Sequence, residues 1–275
     1  MTTQIFKTAE GTLAYDEAGS GPLALLVPGM GDVRGEYRYL APQLAAGGWR
    51  AVSVDVRGHG ETSTGWADYS VAGVGADLLA LIRGLNAGPA VVVGTSMGAG
   101  AAVWAAAEAP DLVRALVLVG PFVSGAPGRL GRLVSSLMFA RPWGPALWLA
   151  YYATLYPSQK PADFSAYRAA LQRNLAEPGR LEALRQMLLA SKLASEQRLD
   201  KVRAPALVLM GSRDPDFKSP EAQARWVAES VHGRYEMVAG AGHYPHAELP
   251  LVAGPRILAF LASLNGPPVA GGQAA

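Results

Sequence analysis

Ser96 lies in a short motif that is typical of an activated nucleophile. The pentapeptide GTSMG (residues 94–98) follows the apolar run 89–93 and precedes the alanine-rich run 99–109. This pattern predicts a strand, a tight turn and a helix, with Ser96 at the bend in a strained backbone conformation that projects its hydroxyl from the top of a sheet. The pentapeptide alone is a weak signal, and it becomes specific only together with residues that could activate the serine.

A serine hydroxyl attacks a carbonyl efficiently only when a base accepts its proton, and His243 is the predicted base. It lies in the loop sequence GAGHYP (residues 240–245), after the last predicted strand, among small residues that allow close approach. His246, three residues later, is the alternative base. His232 is predicted to end a helix, and His59 is interpreted as a solvated loop residue, although it could line a pocket.

The base needs a carboxylate that orients it, and Asp214 is the predicted acid. It follows the apolar run 206–210 directly, at a strand end, which is where open α/β sheets place their functional groups. Asp216, two residues later, is the alternative acid. Both could also be ordinary turn aspartates beside Pro215.

Composition excludes several classes of function. The chain of 275 residues has 50% apolar and 17% charged residues, which is typical of a globular protein with one sizeable core. A net charge of +2 does not favour a nucleic-acid surface, and no cysteine is available for a disulfide, a thiolate nucleophile or a metal site. The four histidines lack metal-ligand spacing, so neither a metal nor another cofactor is expected.

The N-terminal residues lack the apolar core of a signal peptide, and the apolar stretch 146–156 is too short to span a bilayer. We therefore expect a cytoplasmic protein without a membrane span. A monomer and a homodimer both remain open.

Short apolar runs alternate with helical patterns along most of the chain, which predicts an α/β fold with a mostly parallel sheet covered by helices. The first two strands are predicted to form an antiparallel hairpin, and one helix is predicted over about 35–46. Residues 124–203 contain no buried strand pattern and are predicted to be a helical cap inserted into a core of residues 1–123 and 204–264. Residues 265–275 are predicted to be a flexible tail.

The chain resembles the α/β-hydrolase superfamily, in particular its capped serine esterase-like branch. The order Ser96, Asp214, His243 is the triad order of that fold. The resemblance extends from about residue 12 to residue 264 and rests on five motifs in the same order: PGMG at 28–31, DVRGHG at 55–60, GTSMG at 94–98, GSRD at 211–214 and GH at 242–243. It implies a mostly parallel central sheet flanked by helices, with an inserted helical cap.

The same resemblance implies an oxyanion hole formed by two backbone N–H groups, those of Met30 and Met97. Many relatives have His-Gly where this chain has Pro28-Gly29, and histidine where it has Thr95. These differences change the polarity beside the serine without removing a catalytic group.

The predicted cap contains aromatic side chains at helical spacing, and further aromatic and methionine side chains lie just upstream of them. Such a stripe more often packs a helix against its domain, but a cap over this site must also supply the roof of a pocket. The residues expected to line an apolar substrate pocket are Met138, Phe139, Trp143, Trp148 and Tyr152.

These features predict a serine hydrolase, most simply a carboxylesterase, which cleaves a small to medium hydrophobic ester, thioester or lactone through an acyl-enzyme. Haloalkane dehalogenases and epoxide hydrolases resemble this scaffold but use aspartate at the elbow, so Ser96 argues against both. A C–C bond hydrolase or a perhydrolase could use the same triad, and a weakly catalytic ligand receptor could use the same pocket.

Overall fold

An eight-stranded sheet forms the centre of the computed structural model, which describes residues 2–126, 128, 129, 133, 137–140 and 142–264. The predicted tail 265–275 lies outside the described residues. In chain order the strands are β1 (Gln4–Lys7), β2 (Thr12–Ala18), β3 (Leu23–Val27), β4 (Arg50–Val54), β5 (Ala90–Thr95), β6 (Val113–Val119), β7 (Ala206–Gly211) and β8 (Arg234–Val238).

The spatial order of the strands is β1-β2-β4-β3-β5-β6-β7-β8. The first two strands form an antiparallel hairpin, and β2 pairs antiparallel with β4, as in the contact of Tyr15 with Val54. Every other pair of neighbouring strands, from β4 through β3 to β8 in the spatial order, is parallel. The predicted α/β fold with a mostly parallel sheet is therefore confirmed.

Alternation along the central strands divides the core into two layers. In β3, Leu23, Leu25 and Val27 face one layer, whereas Ala24 and Leu26 face the other, because successive side chains of a strand point to opposite faces. The α-helices whose bounds lie within the described part of the chain are α1 (Leu40–Ala46), α2 (Val71–Leu85), α3 (Met97–Glu108), α4 (Gly144–Thr154), α5 (Phe164–Ala176), α6 (Arg180–Leu189), α7 (Leu193–Glu196), α8 (Pro220–Ser230), α9 (Pro245–Glu248) and α10 (Pro250–Ser263).

The prediction of a single helix over about 35–46 is wrong. A short 3-10 helix (Arg34–Tyr37) is followed by a separate α1. Pro42 explains the break, because it lacks an N–H and its ring would clash with the carbonyl of residue 38 in a continuous helix. In the first turn of α1 the proline is tolerated. None of the described helices is both long and apolar enough to cross a membrane.

Among the described residues, the helices α4 to α7 lie between β6 and β7, within the segment predicted to be a cap, and we call them the cap helices. They contact the loop that follows β3. The indole of Trp148 donates to the carbonyl of Gly31 (3.2 Å), and the hydroxyls of Tyr152 and Tyr167 donate to the two oxygens of Asp32 (2.9 and 2.5 Å). Cap side chains therefore cover the carboxyl end of β3. The proposed boundaries of the core and the cap remain predictions.

Candidate active site

Ser96 lies between β5 and α3 in a backbone conformation that serine rarely adopts. Its φ is +55° and its ψ is −118°, and its N–H donates to the carbonyl of Val119 (2.8 Å). A Cβ at Gly94 would lie 2.5 Å from the carbonyl oxygen of Gly98, and one at Gly98 would lie 2.5 Å from that of Val27. Only glycine fits at both positions, so the sharp turn that presents the Ser96 side chain is built into the sequence.

His243 and Asp214 come together from the loops after β8 and β7. Both side chains are buried, and Nδ1 of His243 lies 2.7 Å from Oδ2 of Asp214. Oδ1 of Asp214 accepts the N–H of Asp216 (3.0 Å), which fixes the carboxylate. With Nδ1 as the donor, Nε2 of a neutral His243 is left as a proton acceptor. Ser96 and His243 line the same cavity.

Asp216 is a second carboxylate beside the histidine, at a longer distance. Its Oδ2 lies 3.6 Å from Nδ1 of His243, and its Oδ1 accepts a hydrogen bond from the hydroxyl of Tyr151 (2.5 Å). Burial raises the pKa of Asp216, an effect that the proximity of His243 and the Tyr151 hydrogen bond oppose. The shorter contact favours Asp214 as the orienting acid and leaves Asp216 as a nearby charge.

The two carboxylates determine the protonation of His243. Burial alone would lower its pKa, but the charge of Asp214, the hydrogen bond to Asp214 and the charge of Asp216 outweigh burial and raise the pKa of His243 to about 9. The imidazolium form is thus stabilised in the site. A transition state in which His243 has accepted a proton benefits from the same charges.

Two backbone amides beside Ser96 are available as donors. The amides on either side of Met30 are occupied, because Gly29 donates to Oε2 of Glu36 (3.0 Å) and Gly31 donates to Nε2 of His59 (3.0 Å). Within the part of the chain that the structure describes, neither Met30 N–H nor Met97 N–H has a protein acceptor. A Cβ at Gly29 would lie 3.2 Å from Cβ of Ser96, so this loop packs directly against the serine.

His59 is not the solvated loop residue that the sequence suggested. It is buried, its Nδ1 donates to the carbonyl of Arg57 (3.1 Å), and its Nε2 accepts from Gly31. Burial lowers the pKa of His59 to about 4, which keeps the ring neutral and able to accept that hydrogen bond. The DVRGHG motif therefore supports the loop that contains Met30.

His246, the alternative base, lies beside Glu36 and Tyr37. Its Nε2 is 3.0 Å from Oε1 of Glu36, and its ring stacks on Tyr37. Glu36 is fully buried and accepts a hydrogen bond from the Gly29 amide, a role that no sequence motif indicated. His246 does not line the cavity that contains Ser96. His232, with φ +53°, follows α8, where its N–H donates to the carbonyl of Glu229 (3.2 Å).

A cavity of about 700 Å³ opens above Ser96 and is enclosed largely by apolar side chains of the cap helices and nearby loops. Of the five predicted pocket residues, Met138, Phe139 and Trp148 line it. Trp143 does not, because its side chain is 51% exposed and its indole donates to the carbonyl of Leu137. Tyr152 does not line the cavity either, because its hydroxyl donates a hydrogen bond to Asp32, which lies outside the cavity.

Sequence reasoning missed several residues that line this cavity. Phe122 and Leu188 contribute apolar surface, and Tyr151 reaches it from α4. Lys192 also lines the cavity and is buried there. A lysine in the short link between two cap helices, α6 and α7, has no distinguishing sequence signal, because most lysines in such positions face water.

Among the described residues, one group could offer several ligands to a metal ion. Asp214, Asp216 and His243 each have a ligand atom within 4.8 Å of the others. The histidine atom in question, Nδ1, is already hydrogen-bonded to Asp214. A metal bound at Nδ1 would replace the hydrogen bond to Asp214 that orients the His243 ring. These three side chains therefore fit a hydrogen-bonded histidine–carboxylate pair better than a metal centre.

Comparison with known proteins agrees with this architecture. A family model described as the alpha/beta hydrolase fold matches residues 22–250. The sequence is 31% identical to the Mycobacterium tuberculosis protein named "Putative non-heme bromoperoxidase BpoC", across 92% of this chain and 98% of the relative.

Two solved structures show the same fold at lower identity. A Bacillus anthracis bromoperoxidase superposes with a TM-score of 0.82 at 20% identity, covering 95% of this chain and 100% of that one. An Exiguobacterium antarcticum esterase superposes with a TM-score of 0.82 at 18% identity, with the same coverage. The family match includes the turn at Ser96 and the loops of Asp214 and His243, and the chain belongs to the α/β-hydrolase fold family.

Proposed function

We propose that the protein is a serine hydrolase that cleaves a carboxylic ester, thioester or lactone through an acyl-enzyme. The observation that supports this most strongly is the shared cavity: Ser96, held at φ +55°, and His243, paired through Nδ1 with Asp214 at 2.7 Å, both line it. The serine supplies a nucleophile, and the histidine supplies an oriented base.

In the first half of the reaction, Ser96 Oγ attacks the carbonyl carbon while Nε2 of His243 accepts the hydroxyl proton. Met30 N–H and Met97 N–H donate to the oxyanion, and His243 then gives its proton to the leaving alcohol. In the second half, water attacks the acyl-enzyme with the same assistance and releases the acid. Asp214 holds the ring and stabilises its positive charge throughout.

The apolar wall of the cavity supports a substrate with a hydrophobic acyl or alcohol group. Met138, Phe139 and Trp148 contribute to this wall, and the volume of about 700 Å³ lies within the range of small-molecule pockets. Esterases among the structural relatives are compatible with such a substrate, although they share only the fold.

The test is hydrolysis of 4-nitrophenyl esters by the wild type and by Ser96→Ala. We expect kcat/KM to fall by about 10,000-fold or more, because no other nucleophile replaces the serine. An exposed serine outside the cavity, Ser219, provides the matched control, Ser219→Ala, which should retain wild-type rates. Substantial turnover by Ser96→Ala would refute the assignment, and tight ligand binding by the wild type without turnover would favour a receptor.

Perhydrolysis is a second candidate reaction at the same serine, favoured by the 31% identical relative named as a bromoperoxidase. Hydrogen peroxide would replace water as the attacking group, so the acyl-enzyme would yield a peroxy acid and free Ser96. Formation of peroxy acid from an ester and hydrogen peroxide, compared with simple hydrolysis of the same ester, measures which acceptor is used. The Ser96→Ala variant should lose both reactions.

A further inference from the structure

Lys192 is a buried lysine that lines the cavity that contains Ser96. Its side chain is 9% exposed, and Nζ donates to the carbonyl of Ala190 (3.1 Å). No carboxylate of the described residues lies within 4 Å of this ammonium. An ammonium group has three donors, so most of its hydrogen-bonding capacity is left without a protein acceptor.

The backbone fixes Lys192 at this position. Its N–H donates to the carbonyl of Gly125 (2.9 Å), and its own carbonyl accepts from Ser195 (3.0 Å) and Glu196 (3.1 Å) at the start of α7. The Ser195 hydroxyl in turn donates to the carbonyl of Gly100 in α3 (2.7 Å). The segment is therefore fastened to the helix that begins just after Ser96.

A buried ammonium with one neutral partner is costly. Burial lowers the pKa of Lys192, which reflects the missing solvation of its charge. Apolar side chains, among them Phe122 and Leu188, line the same cavity. A methionine of similar length would be buried in such surroundings at much lower cost, so packing alone does not account for a lysine here.

Charge is unevenly distributed in the cavity. Asp216 lies beside His243, 3.6 Å from its ring nitrogen, whereas Lys192 is not within ion-pair distance of Asp216. An anionic group on a ligand would be repelled by Asp216 and attracted by Lys192. The field therefore orients a ligand that has a reactive carbonyl in one part and a negative charge in another.

We propose that Lys192 binds a carboxylate on the substrate, so that the preferred substrate is an ester, thioester or lactone with an apolar chain that also bears a carboxylate. This inference rests on the proposed function and names the substrate class of the same site. The carbonyl reacts at Ser96, the chain contacts the apolar wall, and the carboxylate accepts from Nζ. A charge-assisted hydrogen bond in this setting changes affinity by about 10- to 100-fold.

The kinetic test compares two activated esters with six-carbon acyl groups, 4-nitrophenyl hydrogen adipate and 4-nitrophenyl hexanoate. We expect the wild type to have the higher kcat/KM for the adipate ester. In Lys192→Met the ratio of the two kcat/KM values should fall by about 10- to 100-fold. The matched control is Lys201→Met, which removes an exposed lysine outside the cavity and should leave the ratio unchanged.

The proposal would be overturned if the ratio of the two kcat/KM values in Lys192→Met stays within twofold of the wild-type ratio. It would also be overturned if the wild type prefers the hexanoate ester by tenfold. If Lys192→Met does not fold, as judged by circular dichroism, Lys192→Gln removes the charge while retaining a donor for the Ala190 carbonyl. The same fall in the ratio is expected.

A binding test separates this proposal from the catalytic one. In the Ser96→Ala background, monoethyl adipate should bind about 10- to 100-fold more weakly when Lys192 is also replaced by Met, as measured by calorimetry. Equal affinity in the two variants would refute the role of Lys192. Failure of the wild type to turn over any ester would refute the proposed function, and this binding comparison would still decide the role of the lysine.

Discussion

Asp216 is expected to set the pH at which His243 becomes an active base. Neutral His243 is needed to accept the Ser96 proton, so kcat/KM should rise with pH as the free enzyme loses the proton from the ring. The wild-type midpoint should lie well above 6.5, because the carboxylates of Asp214 and Asp216 raise the pKa of His243 to about 9. Asp216→Asn removes one of these charges and should move the midpoint toward lower pH.

The size of this change follows from the distance between the charges. Two unit charges 4 Å apart interact by about 1 kcal/mol in bulk water and by about 4 kcal/mol at the effective dielectric constant of a protein surface. The Asp216–His243 separation is 3.6 Å, and the Asp216 side chain retains 10% exposure and a hydrogen bond from Tyr151. Because both side chains are largely shielded from water, the interaction lies between these two values, and since 1.36 kcal/mol corresponds to one pH unit, we expect a change of about 1 to 3 pH units.

The assay is the pH dependence of kcat/KM for 4-nitrophenyl acetate, followed at the isosbestic wavelength of 4-nitrophenol and corrected for spontaneous hydrolysis. Asp200→Asn, at an exposed position outside the cavity, is the matched control and should keep the wild-type midpoint. At pH 7 the Asp216→Asn variant should have a larger share of neutral His243 than the wild type. A midpoint that stays in place or moves to higher pH would refute this account of the two carboxylates.

Two further predictions concern the loop after β3. Gly31→Ala should destabilise the protein by about 2 kcal/mol more than Gly48→Ala, as measured by urea unfolding. Both glycines have positive φ (+72° and +82°), so both variants strain the backbone. Only at Gly31 would the added Cβ also meet a side chain, since it would lie 2.2 Å from the ring of Trp148. Equal destabilisation would contradict the contact. Burial, followed by the charge of Glu36, raises the pKa of Asp32 to about 7, so the folded state retains a proton that the unfolded chain has released. Relative to Asp32→Asn, the wild type should lose unfolding free energy as pH rises from about 4 to about 7, and parallel pH profiles of the two proteins would contradict this.

Local patterns predicted the scaffold well, because strands and turns of this kind depend on short stretches of sequence. Apolar runs such as 23–27 became buried strands, and the glycines around Ser96 produced the sharp turn, since no larger residue fits there. Helix boundaries were less certain: Pro42 divided one predicted helix into two short ones. The family resemblance, which rests on motifs at strand ends, was confirmed by the match over residues 22–250.

Contacts between distant segments could not be predicted in the same way. The hydrogen bond from the Gly31 amide to His59 joins residues 28 positions apart, and that of Tyr152 to Asp32 joins residues 120 positions apart. Helical spacing placed Trp148 and Tyr152 in one stripe, yet of these two only Trp148 lines the cavity.

The sequence by itself determined the order of strands and helices, the turn at Ser96 and the loops from which Asp214 and His243 extend. The apolar runs that form buried strands and the glycines at 94 and 98 are features of short stretches of sequence, so they can be recognised without knowing the fold. Only the tertiary structure decided that Asp214 lies closer than Asp216 to the ring. The direction of a side chain and the solvation of a charge depend on every segment packed around them, which no single stretch of sequence contains.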